Sequence, residues 1–161
     1  MKKIAIGLAA FCGMALLVSC GQSWGKQTLE GPPDLVVAWE EQEVIAWKGG
    51  YSWTKPAGDG TMEGTIACGP APLEVIEDLP VVSAEAGDQV VLVFAGVPDK
   101  LQVYCYPAED RATDAQSVEQ PLMNGNVLVP PEGDTGKVYE AHAKWESGGN
   151  DGSALYAFYI P

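Results

Sequence analysis

The chain has 161 residues, 47% of them hydrophobic, and its 22 Asp and Glu against 9 Lys and Arg give a formal charge of −13. So acidic a surface repels phosphate backbones and anionic headgroups, which argues against nucleic acid as a ligand and against electrostatic attachment to a membrane. The length suits one domain built around one core.

The chain starts with Lys2 and Lys3, and an uncharged, mostly apolar run of 15 residues follows from Ile4 to Val18. A membrane-spanning helix needs about 20 apolar residues, and here Gly21, Gln22 and Ser23 follow almost at once. A basic start and a short apolar stretch are the layout of a secretory signal, assigned to residues 1–19. Where an Ala-x-Ala-like cleavage site would stand, the chain reads Leu17-Val18-Ser19-Cys20. This stretch resembles the lipobox of bacterial lipoproteins. The resemblance implies cleavage after Ser19, a thioether-linked diacylglycerol on Cys20, and an anchor in the cell membrane on its extracytoplasmic face. Two acyl chains hold a protein to a bilayer stably, whereas one does so only marginally. Loss of Lys2 and Lys3 takes the formal charge of the mature chain to −15. Residues 20–34 are then the lipidated cysteine and a tether, "GQSWGKQTLEGPPD" after Cys20, stiffened at its end by Pro32 and Pro33 and reaching roughly 45 Å when extended.

Residues 35–161 are predicted to be all-β, a single antiparallel β-sandwich. Period-two alternation recurs and clusters of Gly, Pro, Asn and Asp divide the runs. "LVVAW" (35–39) and "EVIAW" (43–47) form two arms about a Glu-Glu-Gln turn, and "YSWTK" (51–55) and "TMEGTIAC" (61–68) flank Pro56 to Gly60. "DQVVLVFA" (88–95) is the most apolar run and is predicted to be a central strand. "KLQVYCY" (100–106), "NVLV" (126–129), "VYEAHAKW" (138–145) and "SALYAFYI" (153–160) complete the set, and only residues 109–120 suit a helical turn. Strand number and spacing make the part from about Pro72 onward immunoglobulin-like, although the Cys-Trp-Cys spacing of antibody domains is absent.

The C-terminal stretch "VYEAHAKWESGGNDGSALYAFYI" resembles the last hairpin of small, uncharacterised extracytoplasmic lipoproteins of Gram-positive bacteria, with an aromatic strand on either side of a Gly-rich loop. "GGYSWT" and "VYCY" fit the same group. The resemblance implies a β-rich domain outside the membrane and brings no activity or site residues with it.

Alternation puts Cys68 among the apolar residues of strand 61–68 and Cys105 among those of strand 100–106. They are either a Cys68–Cys105 disulfide across the core, which an export compartment permits, or two separate buried thiols. The single histidine, His142, falls on the solvated face of its strand between Glu140 and Lys144. Nucleophile-elbow, zinc-protease, P-loop and dinucleotide motifs are absent from the sequence, so no catalytic residue, metal ligand or cofactor is assigned and an enzyme is not expected. Asp59 with Glu63, Glu109 and Asp110 with Asp114, and Asn150 with Asp151 are acidic loop clusters lacking EF-hand spacing, and are read as solubilising. The densest aromatic stretch, "WKGGYSW", places Trp47, Tyr51 and Trp53 on one side if the strand runs straight through Gly49 and Gly50. Such a row is either a binding surface for a protein or an envelope glycan or a Trp-built core, and core is preferred. The functional expectation is a membrane-anchored binding or interaction module, with an accessory lipoprotein that tunes a membrane partner as the alternative.

Overall fold

Alternating burial shows how the first strand forms. In β1 (Leu35–Trp39), Leu35, Val37 and Trp39 are buried while Val36 and Ala38 stay partly open. The computed structural model describes residues 29–109, 118–131, 136–147, 149 and 151–161. The signal peptide, Cys20 and the first part of the tether lie outside the described residues, as do Asp110, Asp114, Asn150 and most of the segment 109–120.

After a reversal at Glu40, whose φ is 49°, the chain continues as β2 (Gln42–Ile45) and then β3 (Trp47–Pro56) and β4 (Met62–Ala67). A short 3-10 segment, Pro72–Asp78, precedes β5 (Val90–Phe94) and β6 (Lys100–Pro107). Then come β7 (Leu122–Asn124), β8 (Val127–Val129), β9 (Lys137–Trp145) and β10 (Asp151–Ile160). The strands make two antiparallel five-stranded sheets, ordered β2-β1-β5-β8-β7 and β4-β3-β10-β9-β6. The expected all-β sandwich is what the chain forms. The second sheet is organised by the β9–β10 hairpin, paired without a break from Gly152↔Trp145 to Ile160↔Lys137.

Inner faces of the two sheets share one core. Leu35, Val37, Val90, Leu92 and Leu128 of the first sheet pack against Val103, Cys105, Tyr139, Tyr156 and Phe158 of the second. Ala141, Ala143 and Ala154 keep the centre of the second sheet thin, which leaves room for large rings. Phe94 packs edge-on against Trp145 and Tyr156, with ring centroids 5.7 and 5.4 Å away. A second, smaller cluster lies on the outer face of the second sheet, where Leu73 and Leu79 cover Tyr106, Val138 and Ala157 with Trp47 beside them. Among the described residues, both clusters with the partly buried residues packed on them run from Leu29 to Ile160 and join the two sheets through one interior.

Three local features differ from the sequence expectation. The run "EVIAW" is broken at Ala46, where the chain leaves the first sheet for the second; Ala46 is buried and its N–H donates to Leu35 O at 2.9 Å. Strand β3 therefore begins at Trp47, four residues earlier than expected. The segment Pro72–Asp78 is helical over too few turns to show a helical period, and β7 has three residues, too few to show alternation.

Candidate functional site

Strand β3 decides the fate of the aromatic stretch. Lys48 pairs with Tyr156 and Tyr51 with Ala154, so Gly49 and Gly50 together oppose Leu155 alone. This is a β-bulge, and one extra residue inverts the alternation beyond it. The expected single-sided row is therefore corrected. Trp47 lies in the outer cluster beside Leu73 and Leu79, whereas Tyr51 and Trp53 turn toward the core. Trp53 is 3% exposed and its Nε1 donates to Leu29 O at 3.2 Å, so it is a core residue and no binding anchor. Trp47 and Tyr51 are half-buried against their clusters.

Of the two alternatives for the cysteines, the Cys68–Cys105 disulfide is ruled out, and the buried-thiol alternative holds for Cys105 alone. Cys68 and Cys105 are both free thiols, the first exposed and the second buried. Cys68 follows β4 and Cys105 lies in β6, the two opposite edges of the same sheet. Four strand spacings put them roughly 19 Å apart, against less than about 7 Å between the Cα atoms of a bridged pair. Alternation had assigned Cys68 to an inner face, but β4 is exposed along nearly its whole length and has no inner face at that point. Burial pushes the Cys105 thiol up from its ordinary pKa.

His142 stands where the sequence put it, on the outer face of the second sheet. Its Nε2 lies 2.5 Å from Glu140 Oε1, and the Tyr106 hydroxyl donates to Glu140 Oε2 at 2.9 Å. Tyr104 packs edge-on against the imidazole, with centroids 5.4 Å apart. Burial pushes the Glu140 carboxyl up, but the hydrogen bonds from His142 and Tyr106 outweigh it and hold the pKa below the usual value. Burial and the Glu140 charge push Tyr106 upward. Beyond the cover of the 3-10 segment, this face opens into a shallow polar groove of about 360 Å³ lined by Gln102, His142, Lys144, Ser153 and Leu155 among others. Lys100 and Lys144 face each other across β6 and β9, and Glu146 bridges both, at 3.0 and 2.6 Å. The arrangement offers hydrogen bonds and a half-exposed imidazole to a polar ligand.

The acidic loops have local structural tasks. Asp59 accepts from the N–H and hydroxyl of Thr61 at 2.9 and 2.5 Å, which closes the β3–β4 turn and lowers the Asp59 pKa. Glu63 pairs across the strands with Lys55. Among the described residues, no group of three or more His, Cys, Asp and Glu side chains is placed to hold a metal ion.

The least expected surface is the outer face of the first sheet. Ile45, Val36 and Val93 form a row across β2, β1 and β5. Beside it, Glu43, Ala38, Val91, Val127 and Asn124 cross all five strands, and Val129 faces Leu122. Of these ten side chains only Glu43 is charged, and it stands at the rim. Ile45 is 62% exposed and Leu122 71%. Among the described residues, the 3-10 segment packs on β9 of the other sheet, so no helix covers this face. A sheet apolar on both faces is ordinarily covered on both. The signal in the sequence was the unbroken apolar character of "LVVAW" and "VVLVF", which alternation with a solvated face does not produce.

Compared with known protein families, with curated proteins and with solved structures, the chain matches none. Among the described residues no helix is long and apolar enough to cross a membrane.

Proposed function

We propose that the chain is a lipid-anchored extracytoplasmic interaction module, tethered through Cys20 and docking a protein partner on the outer face of its first sheet. The observation behind this reading is the aliphatic surface of Ile45, Val36, Val93, Val91 and Val127, over which no helix of the described residues packs. Contiguous exposed apolar patches of this kind mark interaction sites. Among the described residues, the side chains of this face named above include no aromatic or basic group of the kind that favours a lipid interface. The lipobox-like Leu17-Val18-Ser19-Cys20 supplies the anchor, and the acidic surface keeps the domain off anionic headgroups. The role is one of binding without catalysis, on a scaffold whose C-terminal part is immunoglobulin-like in strand spacing. An accessory lipoprotein tuning a neighbouring membrane protein would use the same face.

The polar groove around His142 favours a second reading, recognition of an envelope glycan. Tyr104, Gln102 and Ser153 provide an aromatic edge and hydrogen-bonding groups there, but no flat exposed ring for stacking.

One experiment tests both parts of the main reading. Cells expressing wild type, Cys20→Ala and Ile45→Asp are labelled with a fatty-acid analogue, fractionated and crosslinked. The expected result is labelled, membrane-bound wild type with one dominant crosslinked partner. Cys20→Ala should lose label and membrane binding, and Ile45→Asp should keep both and lose the crosslink. Equal labelling of wild type and Cys20→Ala would overturn the anchor, and an unchanged crosslink in Ile45→Asp would overturn the docking face.

A further inference from the structure

The sandwich does not close along one side, and the reason is visible in the strands. β6 is the edge of the second sheet, and β8 pairs with β5 only at Val90 and Val91. Beyond that point Leu92 donates to Asn126 O at 2.8 Å and its carbonyl accepts from Asn126 Nδ2 at 3.0 Å. The turn around Gly125 and Asn126 thus satisfies the backbone of Leu92 without supplying side chains to fill the space. What remains is a cleft of about 530 Å³ between the end of β5 and the start of β6. Leu92 and Phe94 line it from the core side, Leu101 from the second sheet, and Val97 and Pro98 form its lip. Val97 is 85% exposed.

We propose that this cleft binds a single alkyl chain bearing an uncharged polar head. Its volume falls in the range of ligand-binding pockets, roughly 300–1,000 Å³. Leu92, Val93, Phe94, Val97 and Leu101 make most of the lining aliphatic or aromatic, with Gly125 and Asn126 at one side, and a methylene chain laid in the cleft would gain contacts with the exposed Val97 and the half-buried Leu101. None of the described lining residues is charged. Nearby, Lys100 is committed to Glu146, and Asp99 accepts from the Glu146 N–H at 2.6 Å. In a chain of charge −13, a carboxylate head brought up beside Asp99 and Glu146 meets repulsion, which selects for an alcohol-like head. The cleft borders the docking face, and Val93 belongs to both.

The test uses residues 26–161, which contain both core clusters of the described residues, titrated with the neutral fluorophore N-phenyl-1-naphthylamine and then with 1-dodecanol or dodecanoate. Saturable binding is expected, displaced by dodecanol, with dodecanoate about tenfold weaker. Val97→Asp, at an exposed lip position, and Leu101→Gln should each weaken fluorophore and dodecanol binding about tenfold. Ile45→Asp, on the docking face, should leave it unchanged. A melt of each variant confirms folding, and Val97→Asp serves alone if Leu101→Gln unfolds. Absence of saturable binding would overturn the site, as would binding that survives Val97→Asp or is lost in Ile45→Asp. Dodecanoate binding as tightly as dodecanol would overturn the uncharged head.

Discussion

Trp53 and Trp145 meet edge to face inside the sandwich, their ring centroids 5.4 Å apart and their planes at 66°. Each indole N–H is satisfied by backbone, Trp53 by Leu29 O at 3.2 Å and Trp145 by Gly96 O at 2.9 Å. The pair therefore pins the approach to β1 and the β5–β6 loop to the same end of the core. Leu29 reinforces this by packing so close to Gly96 that a Cβ there would stand 2.8 Å from Leu29 Cδ1.

Trp53→Ala should consequently cost about 3–5 kcal/mol, because a buried ring leaves a cavity that two sheets cannot close. In a thermal melt of residues 26–161 that loss corresponds to about 10 °C or more. A shift under about 2 °C would show that Trp53 contributes little to the core.

The strands of this sandwich were readable where one face is buried and the other wet. Strand β9 is such a case, with Tyr139, Ala141, Ala143 and Trp145 inside and His142 and Lys144 outside. Reading by parity failed at Gly49 and Gly50, since a bulge is set by how β3 meets β10 and leaves no mark in the alternation itself. It failed at Cys68 for a different reason. Alternation orders the faces of a strand but does not say whether anything lies against either face, and β4 projects beyond the core. The candidate sites were less legible still. The cleft beside Leu101 arises where β8, a strand of three residues, stops short of the end of β5, and the open face of the first sheet follows from what does not pack on it, which no single strand records.

Glu140 is one carboxylate that ties the stability of the domain to acid. Its folded pKa lies below the ordinary 4.5, burial opposing and the His142 and Tyr106 hydrogen bonds prevailing. The folded value is the lower one. The stabilisation is therefore complete above the unfolded pKa and is lost as pH falls through the folded value. Urea midpoints should drop below about pH 4.5 in the wild type and drop less in Glu140→Gln, which should also be less stable at pH 7 by about 1 kcal/mol. Identical acid limbs for the two proteins would remove Glu140 from this role.

The thiols should behave independently. In native, unreduced residues 26–161, iodoacetamide should modify Cys68 readily and Cys105 only after unfolding, because Cys105 is fully buried and its thiolate is disfavoured. Mass spectrometry should find one adduct in the native protein and two in the denatured one. A species two hydrogens lighter that takes up no reagent on unfolding would restore the disulfide.

Two glycines in the second sheet should respond oppositely to the same added methyl group. Gly152 faces Trp53 across β10 and β3, and a Cβ there would stand 2.7 Å from Ser52 O as well as against the Trp53 ring. A backbone oxygen held in a strand cannot step aside, and the ring is locked in the aromatic cluster, so Gly152→Ala should cost about 1–3 kcal/mol through overpacking. Gly64 lies in the edge strand β4, where a Cβ would meet only Thr54 Oγ1, at 3.9 Å. With no positive φ to relieve there, Gly64→Ala should be neutral or should stabilise by up to about 1 kcal/mol, by narrowing the unfolded ensemble. Denaturant midpoints of the two variants, read at equal slope, check both directions at once. If Gly152→Ala proves as harmless as Gly64→Ala, then β10 and β3 are not in the register that buries Trp53.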